Sequence, residues 1–482
     1  MKSQTGYRIH LHQPERLRID LDREAAGRVA REPVAEPVTQ SAPSREQIRT
    51  ARLPIHFFIS AVALFGLGVI VIPLVIGDLM EFFYQPRILA TTHTFTLGWI
   101  TSAIMGVMYR LVPAMTKRPL PFPRLARWQF GLYLFSATGL MMHMLIGAWP
   151  PTWMAAAVIV LTVIFFAMNM LYCLGPAWHK SAAETGMCLS IGFLLLAATL
   201  GFLLAFDKAR GFLSGNVLTN LASHAHLAAL GWVSLSICAV SYRMAPAFLL
   251  SELTLPRVAV WQLYGLAFGV AGLAMALLGW IPGTTLWSIV VLSALLAYIG
   301  VLQTLVRNRR TPIDWTMRHA MAGMVCLLLA VGLGFSLLWI DPDSVLGNRV
   351  AGAYGVLGLL GWVTNLIIGM SFKLFPGFVV GVRERRGWST LPITEFSLAR
   401  YRPFVFVLLN IGVLTLAAGL ITAQAAIAQF GALMLMPGGL IYVAVMGRTL
   451  SYAYRASAPP SSNDLLRTPF GNSESGNNST IP

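Results

Sequence analysis

Leu97-Gly98-Trp99, then Tyr109-Arg110 and Pro113; Leu230-Gly231-Trp232, then Tyr242-Arg243 and Pro246; Leu360-Gly361-Trp362, then Phe372-Lys373 and Pro376. One pattern is written three times at the same internal offsets, with copies roughly 130 residues apart, and self-similarity at a fixed period reports architecture before any motif reports chemistry. The copies also differ in an informative way. Five residues before each Gly-Trp stand His93, His226 and Val356, and seven before it stand Thr91, His224 and Tyr354.

The composition says what medium this repetition is built in. Of 482 residues, 56% are hydrophobic and only 11% charged, and the mean hydropathy is +0.68. Soluble domains carry roughly 25% charged residues, so the chain reads as an integral membrane protein whose first partner is the lipid bilayer. Apolar runs of about 20 residues, enough to cross a bilayer, lie near 54–77, 91–113, 129–148, 152–175, 185–206, 222–247, 259–280, 284–305, 320–340, 351–376, 402–424 and 427–450. The net charge of +16 sits in particular loops: Lys117, Arg118, Arg124 and Arg127; Arg307, Arg309, Arg310 and Arg318; Arg383, Arg385, Arg386, Arg400 and Arg402. If the spans alternate, these loops share the side of both termini. The positive-inside bias then predicts a bacterial-type inner membrane location with N- and C-termini cytoplasmic. It also removes nucleic acid as the reason for the charge.

The expected fold is all-α: twelve transmembrane helices in three pseudo-symmetric four-helix units, over 53–176, 185–306 and 319–450. Residues 1–52 read as a cytosolic, mostly disordered extension without the apolar core of a signal peptide, 53–455 as the membrane domain and 456–482 as a disordered tail. Each unit has an even number of spans and so keeps its orientation, which makes the repeats parallel about an axis along the membrane normal. Gly beside Trp lets a neighbouring helix approach closely. The aromatic-basic pair reads as an interfacial anchor and the proline as a helix end or kink. The four cysteines, Cys173, Cys188, Cys238 and Cys326, form no CxxC or CxxCH and read as small buried hydrophobes.

Histidine inside a membrane span is a functional hypothesis by default. Of the nine, His10, His12, His56, His179 and His319 are expected in tails, loops or at helix starts. The other four, His93, His143, His224 and His226, fall at one depth near the ends opposite the basic loops. His224 and His226 are two residues apart, about 200° around a helix, so they face different inter-helix spaces. Neutral imidazoles from separate helices are what a six-coordinate haem iron takes as axial ligands. The expected ligand pair is His93 with His226, with His224 toward a second haem or a copper and His143 as a further metal candidate.

The stretch His224-Ala-His226-Leu-Ala-Ala-Leu-Gly-Trp232, continuing to Tyr242 and Pro246, resembles the haem-ligand helix of haem-copper oxidase subunit I, especially its C-type oxidase and nitric-oxide-reductase branch. Arg87-Ile-Leu-Ala-Thr-Thr-His93-Thr-Phe is similar to that family's second helix. The resemblance implies a haem b, copper as a further cofactor, and a cytochrome or other redox subunit as partner. Three departures stand against full oxidase turnover. The His-x-His pair is on the sixth span where the family has it on the tenth, and the chain has no adjacent His-His pair and no acidic residue at a span centre. A looser resemblance links the chain to the NnrS group of membrane haem-copper proteins associated with nitric oxide stress. The rival reading is a non-redox transporter or assembly factor on the same fold.

Overall fold

The structure is a computed structural model and describes residues 45–175, 181–341, 343–390 and 392–455. The expected tail over 456–482, most of the extension over 1–52, and His10, His12 and His179 lie outside the described residues. Twelve long helices follow in chain order: α1 (Arg45–Val71), α2 (Pro86–Thr116), α3 (Pro123–Leu145), α4 (Trp149–Leu174), α5 (Ala182–Arg210), α6 (Val217–Leu249), α7 (Pro256–Leu277), α8 (Thr284–Arg307), α9 (Trp315–Ser336), α10 (Val345–Glu384), α11 (Arg402–Ile421) and α12 (Ala425–Ser451). Among the described residues, eleven of these are long and apolar enough to span a membrane. The exception is α3, where Gln129 and His143 dilute the apolar sequence. The protein is thus an all-α polytopic membrane protein, with eleven of the twelve expected spans meeting that standard. The first helix begins at Arg45, inside the stretch assigned to the extension, and Arg127 of α3 holds its start through Glu46 at 2.8 Å.

Local sequence sets the helix starts. Proline occupies the first turn of α2, α3, α4, α7 and α11, where its missing N–H costs nothing. Ser181, Asn216, Asp314 and Ser344 accept backbone N–H groups at the starts of α5, α6, α9 and α10, satisfying donors a helix cannot satisfy itself.

Burial separates an inner ring from an outer one. The most apolar stretches of α2, α6 and α10 are 72%, 67% and 72% buried, against 28% to 56% for the other eight spans. In each repeat the first helix crosses the second at the Gly of Gly-Trp. A Cβ on Gly98, Gly231 or Gly361 would meet Leu64 of α1 at 2.9 Å, Phe193 of α5 at 2.5 Å or Cys326 of α9 at 2.7 Å. Glycine is therefore required there by close helix approach.

The tryptophans close the ring. Trp99 Nε1 donates to Thr364 Oγ1 at 3.3 Å, Trp232 Nε1 to Thr101 Oγ1 at 3.2 Å, and Trp362 Nε1 to Ser234 Oγ at 3.4 Å. Each acceptor stands two residues after the tryptophan of another repeat, so the three bonds form one cycle. A second cycle runs outside it: Phe166 of α4 packs on Trp232, Tyr298 of α8 on Trp362, and Tyr442 of α12 on Trp99, with centroids 6.1, 6.2 and 5.7 Å apart. Beyond the tryptophans the inner helices surround an apolar void of about 70 Å³, lined by the residues four, five and eight positions after each of them: Ala103, Ile104 and Val107; Ser236, Ile237 and Val240; Leu366, Ile367 and Met370. Contacts repeated in this cyclic sense are what a pseudo-threefold ring of parallel units requires.

The inner helices are not plain α-helices. Each widens to a π-helix through its Gly-Trp, at Thr94–Thr101, Leu227–Ser234 and Leu357–Val363. Hydroxyls stabilise the wide turns by bonding carbonyls five residues back: Ser102 to Leu97 O, Ser234 to Ala229 O and Thr364 to Leu359 O. Two expectations about the motif change as well. Pro113, Pro246 and Pro376 lie inside their helices, which continue to Thr116, Leu249 and Glu384. Tyr109 and Tyr242 are buried, not interfacial, and donate to Gln129 Oε1 and Gln262 Oε1 on the third helix of their repeats.

Candidate cofactor-binding site

The π segments fix where the distinguishing residues stand. His93, His226 and Val356 are each the last residue before the widened turns begin. The histidines seen first in the sequence thus occupy one structural register at which a helix changes pitch, and π-bulges are often associated with functional sites.

The hydrogen bonds of the three cavity histidines agree in sense. His93 Nδ1 lies 2.8 Å from Leu89 O, His226 Nδ1 2.7 Å from Ala222 O, and His224 Nδ1 3.0 Å from Ala197 O on α5. A carbonyl oxygen only accepts, so each Nδ1 carries the proton and each Nε2 keeps its lone pair. That is the tautomer a metal-binding imidazole needs, with the second nitrogen oriented by a backbone carbonyl. Among the described residues, Nε2 of His93 and of His224 has no hydrogen-bond partner. His224 also rests on Gly201 of α5, where a Cβ would come within 2.8 Å of its Cε1.

The rings pair across repeat boundaries. His93 faces His224, with centroids 6.5 Å apart and planes 19° from parallel. His226 faces Tyr354, with centroids 6.1 Å apart and planes at 26°, and the Tyr354 hydroxyl lies 3.2 Å from His226 Nε2. The expected pairing is of His93 with His226; the ring that His93 meets is that of His224. His93 and His226 hold the same register in consecutive repeats, and each meets a ring of the repeat that follows its own. The residue facing position −5 of one repeat is therefore position −7 of the next: His224 for His93, Tyr354 for His226, and in the remaining space Thr91 and Val356 stand at these registers. His224 and His226 meet different rings, and both line the same cavity.

All four rings line one cavity of about 540 Å³ enclosed by the far halves of α2, α6 and α10 and the helices around them. This volume is within the roughly 300–1,000 Å³ range of small-molecule and cofactor sites. Its described lining is overwhelmingly apolar and includes no Asp, Glu, Lys or Arg.

The other histidines stand apart. His143, near the far end of α3, has a buried Nδ1 without a hydrogen-bond partner among the described residues but does not line the cavity. His319, expected to be solvated or interfacial, is fully buried. Its Nδ1 donates to Asn365 Oδ1 at 2.8 Å, and Asn365 is in turn bonded to Asn410. Two site residues escaped the sequence reading as participants. Tyr354 was visible at the repeated position but appeared as the loss of a histidine, and Gly201 carried no signal among 43 glycines.

The donor set decides which metal group could be held. Among the described residues no three His, Cys, Asp or Glu side chains converge. A metalloporphyrin brings four in-plane nitrogens and needs only two axial ligands. His93 and His224 line one apolar cavity as near-parallel rings with centroids 6.5 Å apart, each with Nδ1 held by a carbonyl, so they are the two side chains that could supply such a pair. No protein-family model matches the chain, and no curated protein matches its sequence.

Proposed function

We propose that the protein is a bacterial-type inner-membrane haem protein in which His93 and His224 would hold one b-type haem between α2 and α6 through their Nε2 atoms. The observation carrying this is the His93–His224 pair: near-parallel rings with centroids 6.5 Å apart in one apolar cavity, each oriented by a carbonyl at Nδ1. The haem would supply one-electron chemistry. With both His93 and His224 engaged in holding the group, the reading favours electron transfer with a redox partner, or haem handling, over oxygen or nitric oxide turnover. The resemblance of His224-Ala-His226 and of the His93 segment to haem-copper oxidase subunit I supports the same reading. The basic loops support cytoplasmic termini, and with that orientation the cavity would lie in the outer half of the membrane.

The direct test is titration of the purified, detergent-solubilised protein with hemin, followed by absorption and iron analysis. The expected result is saturation at one equivalent with a six-coordinate, low-spin spectrum. A titration indistinguishable from hemin in empty detergent micelles would refute the proposal.

A further inference from the structure

The second inter-repeat space reproduces the geometry of the first with one change. His226, like His93, precedes a π segment, donates Nδ1–H to the carbonyl four residues back and presents Nε2 to position −7 of the next repeat. That position is His224 in the first space and Tyr354 in the second. We infer that Tyr354 sets the number of cofactors at one, by donating its hydroxyl to His226 Nε2 and so occupying the atom that would otherwise bind a second metal. This rests on the haem reading above and deepens it.

The direction of the Tyr354–His226 bond follows from the protons. Nδ1–H is committed to Ala222 O, so Nε2 accepts and the phenol donates. For Tyr354 to serve instead as a metal ligand it would have to lose that proton. No Lys or Arg is among the described lining of this cavity, so nothing but a bound metal ion itself could compensate a phenolate there. In the structure the phenol is a donor and occupies His226 Nε2. The first space lacks such a blocking group, since neither His93 nor His224 has a hydrogen bond at Nε2 among the described residues.

Sequence and geometry together thus assign the His-x-His segment an unequal division of labour. His224 is a ligand. His226 is an equivalent residue held out of use by its neighbour on α10, and Tyr354 determines stoichiometry.

Hemin equivalents per chain test this, counted by iron analysis and absorbance for the unsubstituted protein, Tyr354→His and His224→Tyr. The expected counts are one, two and none: the first substitution recreates the His–His pair in the second space, and the second copies the blocked arrangement into the first. Two equivalents in the unsubstituted protein, which would make Tyr354 a ligand, overturn the inference and leave haem binding intact, as does a Tyr354→His count that stays at one. No binding in the unsubstituted protein overturns the haem reading and this inference with it. A measurement without hemin covers the case of a misfolded variant: ¹⁵N-histidine spectra of apoprotein should show the His226 Nε2 resonance shifting in Tyr354→Phe. An unchanged resonance overturns the blocking bond.

Discussion

Replacing His224 by alanine is expected to weaken hemin binding by more than 100-fold and to leave any residual haem five-coordinate, whereas His226→Ala should change affinity by no more than a few-fold. The basis is the pairing of His93 with His224, not with His226. Loss of an outer hydrogen-bond partner of a metal ligand already costs about 10–100-fold, and loss of the ligand itself exceeds that. His93→Ala should match His224→Ala. If His226→Ala abolished the six-coordinate spectrum and His224→Ala spared it, the pairing would be wrong. Gly201→Ala separates ligand placement from stability. Alanine is a better helix former than glycine by about 1 kcal/mol, yet its Cβ would stand 2.8 Å from His224 Cε1. The ring must move, so binding should weaken while the unfolding temperature holds or rises.

The architecture was legible in the sequence because long apolar runs and a triplicated motif are one-dimensional signals. Gly98, Gly231 and Gly361 could be read as close-approach positions because in lipid little else explains a small residue beside a Trp. Register was legible too, since position −5 recurs. The sense of rotation was not: whether His93 meets His224 or His226 depends on how each helix is turned about the ring axis, which three copies of a motif leave open. The π segments were hidden for a related reason. They are stabilised by hydroxyls of Ser102, Ser234 and Thr364 reaching back five residues, and those hydroxyls suit an ordinary helix equally well. Tyr109 and Tyr242 resembled interfacial anchors because their partners, Gln129 and Gln262, lie on the following helix, and that lateral contact leaves no mark on the motif itself. Pro113, Pro246 and Pro376 read as helix ends or kinks, and each helix runs at least another three residues beyond its proline.

Arg383→Ala is expected to be the most destabilising single change outside the ring of tryptophans, by about 3–5 kcal/mol. An ionisable residue near a membrane span is a functional candidate by default, and in the sequence Arg383 counted among the basic-loop charges. Its surroundings assign it otherwise. The side chain is fully buried at the end of α10. Nε and Nη2 donate to Ser389 O at 2.9 and 2.5 Å, and Nη1 donates to Tyr452 O at 2.8 Å and Arg455 O at 2.6 Å. The guanidinium also stands 4.1 Å from the ring centroid of Tyr452, which stacks on Phe396. One planar cation thus ties the α10–α11 loop to the segment after α12. Truncation leaves three carbonyls without that donor, at roughly 1–3 kcal/mol for each that stays out of water. Lysine should recover only part of the loss, because an ammonium is a point charge that lacks the fork of a guanidinium. Thermal unfolding in detergent measures this, and an Arg383→Ala midpoint within error of the unsubstituted protein would show the clamp to be dispensable. With Arg383 committed to backbone carbonyls, the orientation signal of that loop rests on Arg385, Arg386, Arg400 and Arg402. The charge bias survives that subtraction, because the loops after α2 and α8 carry it independently.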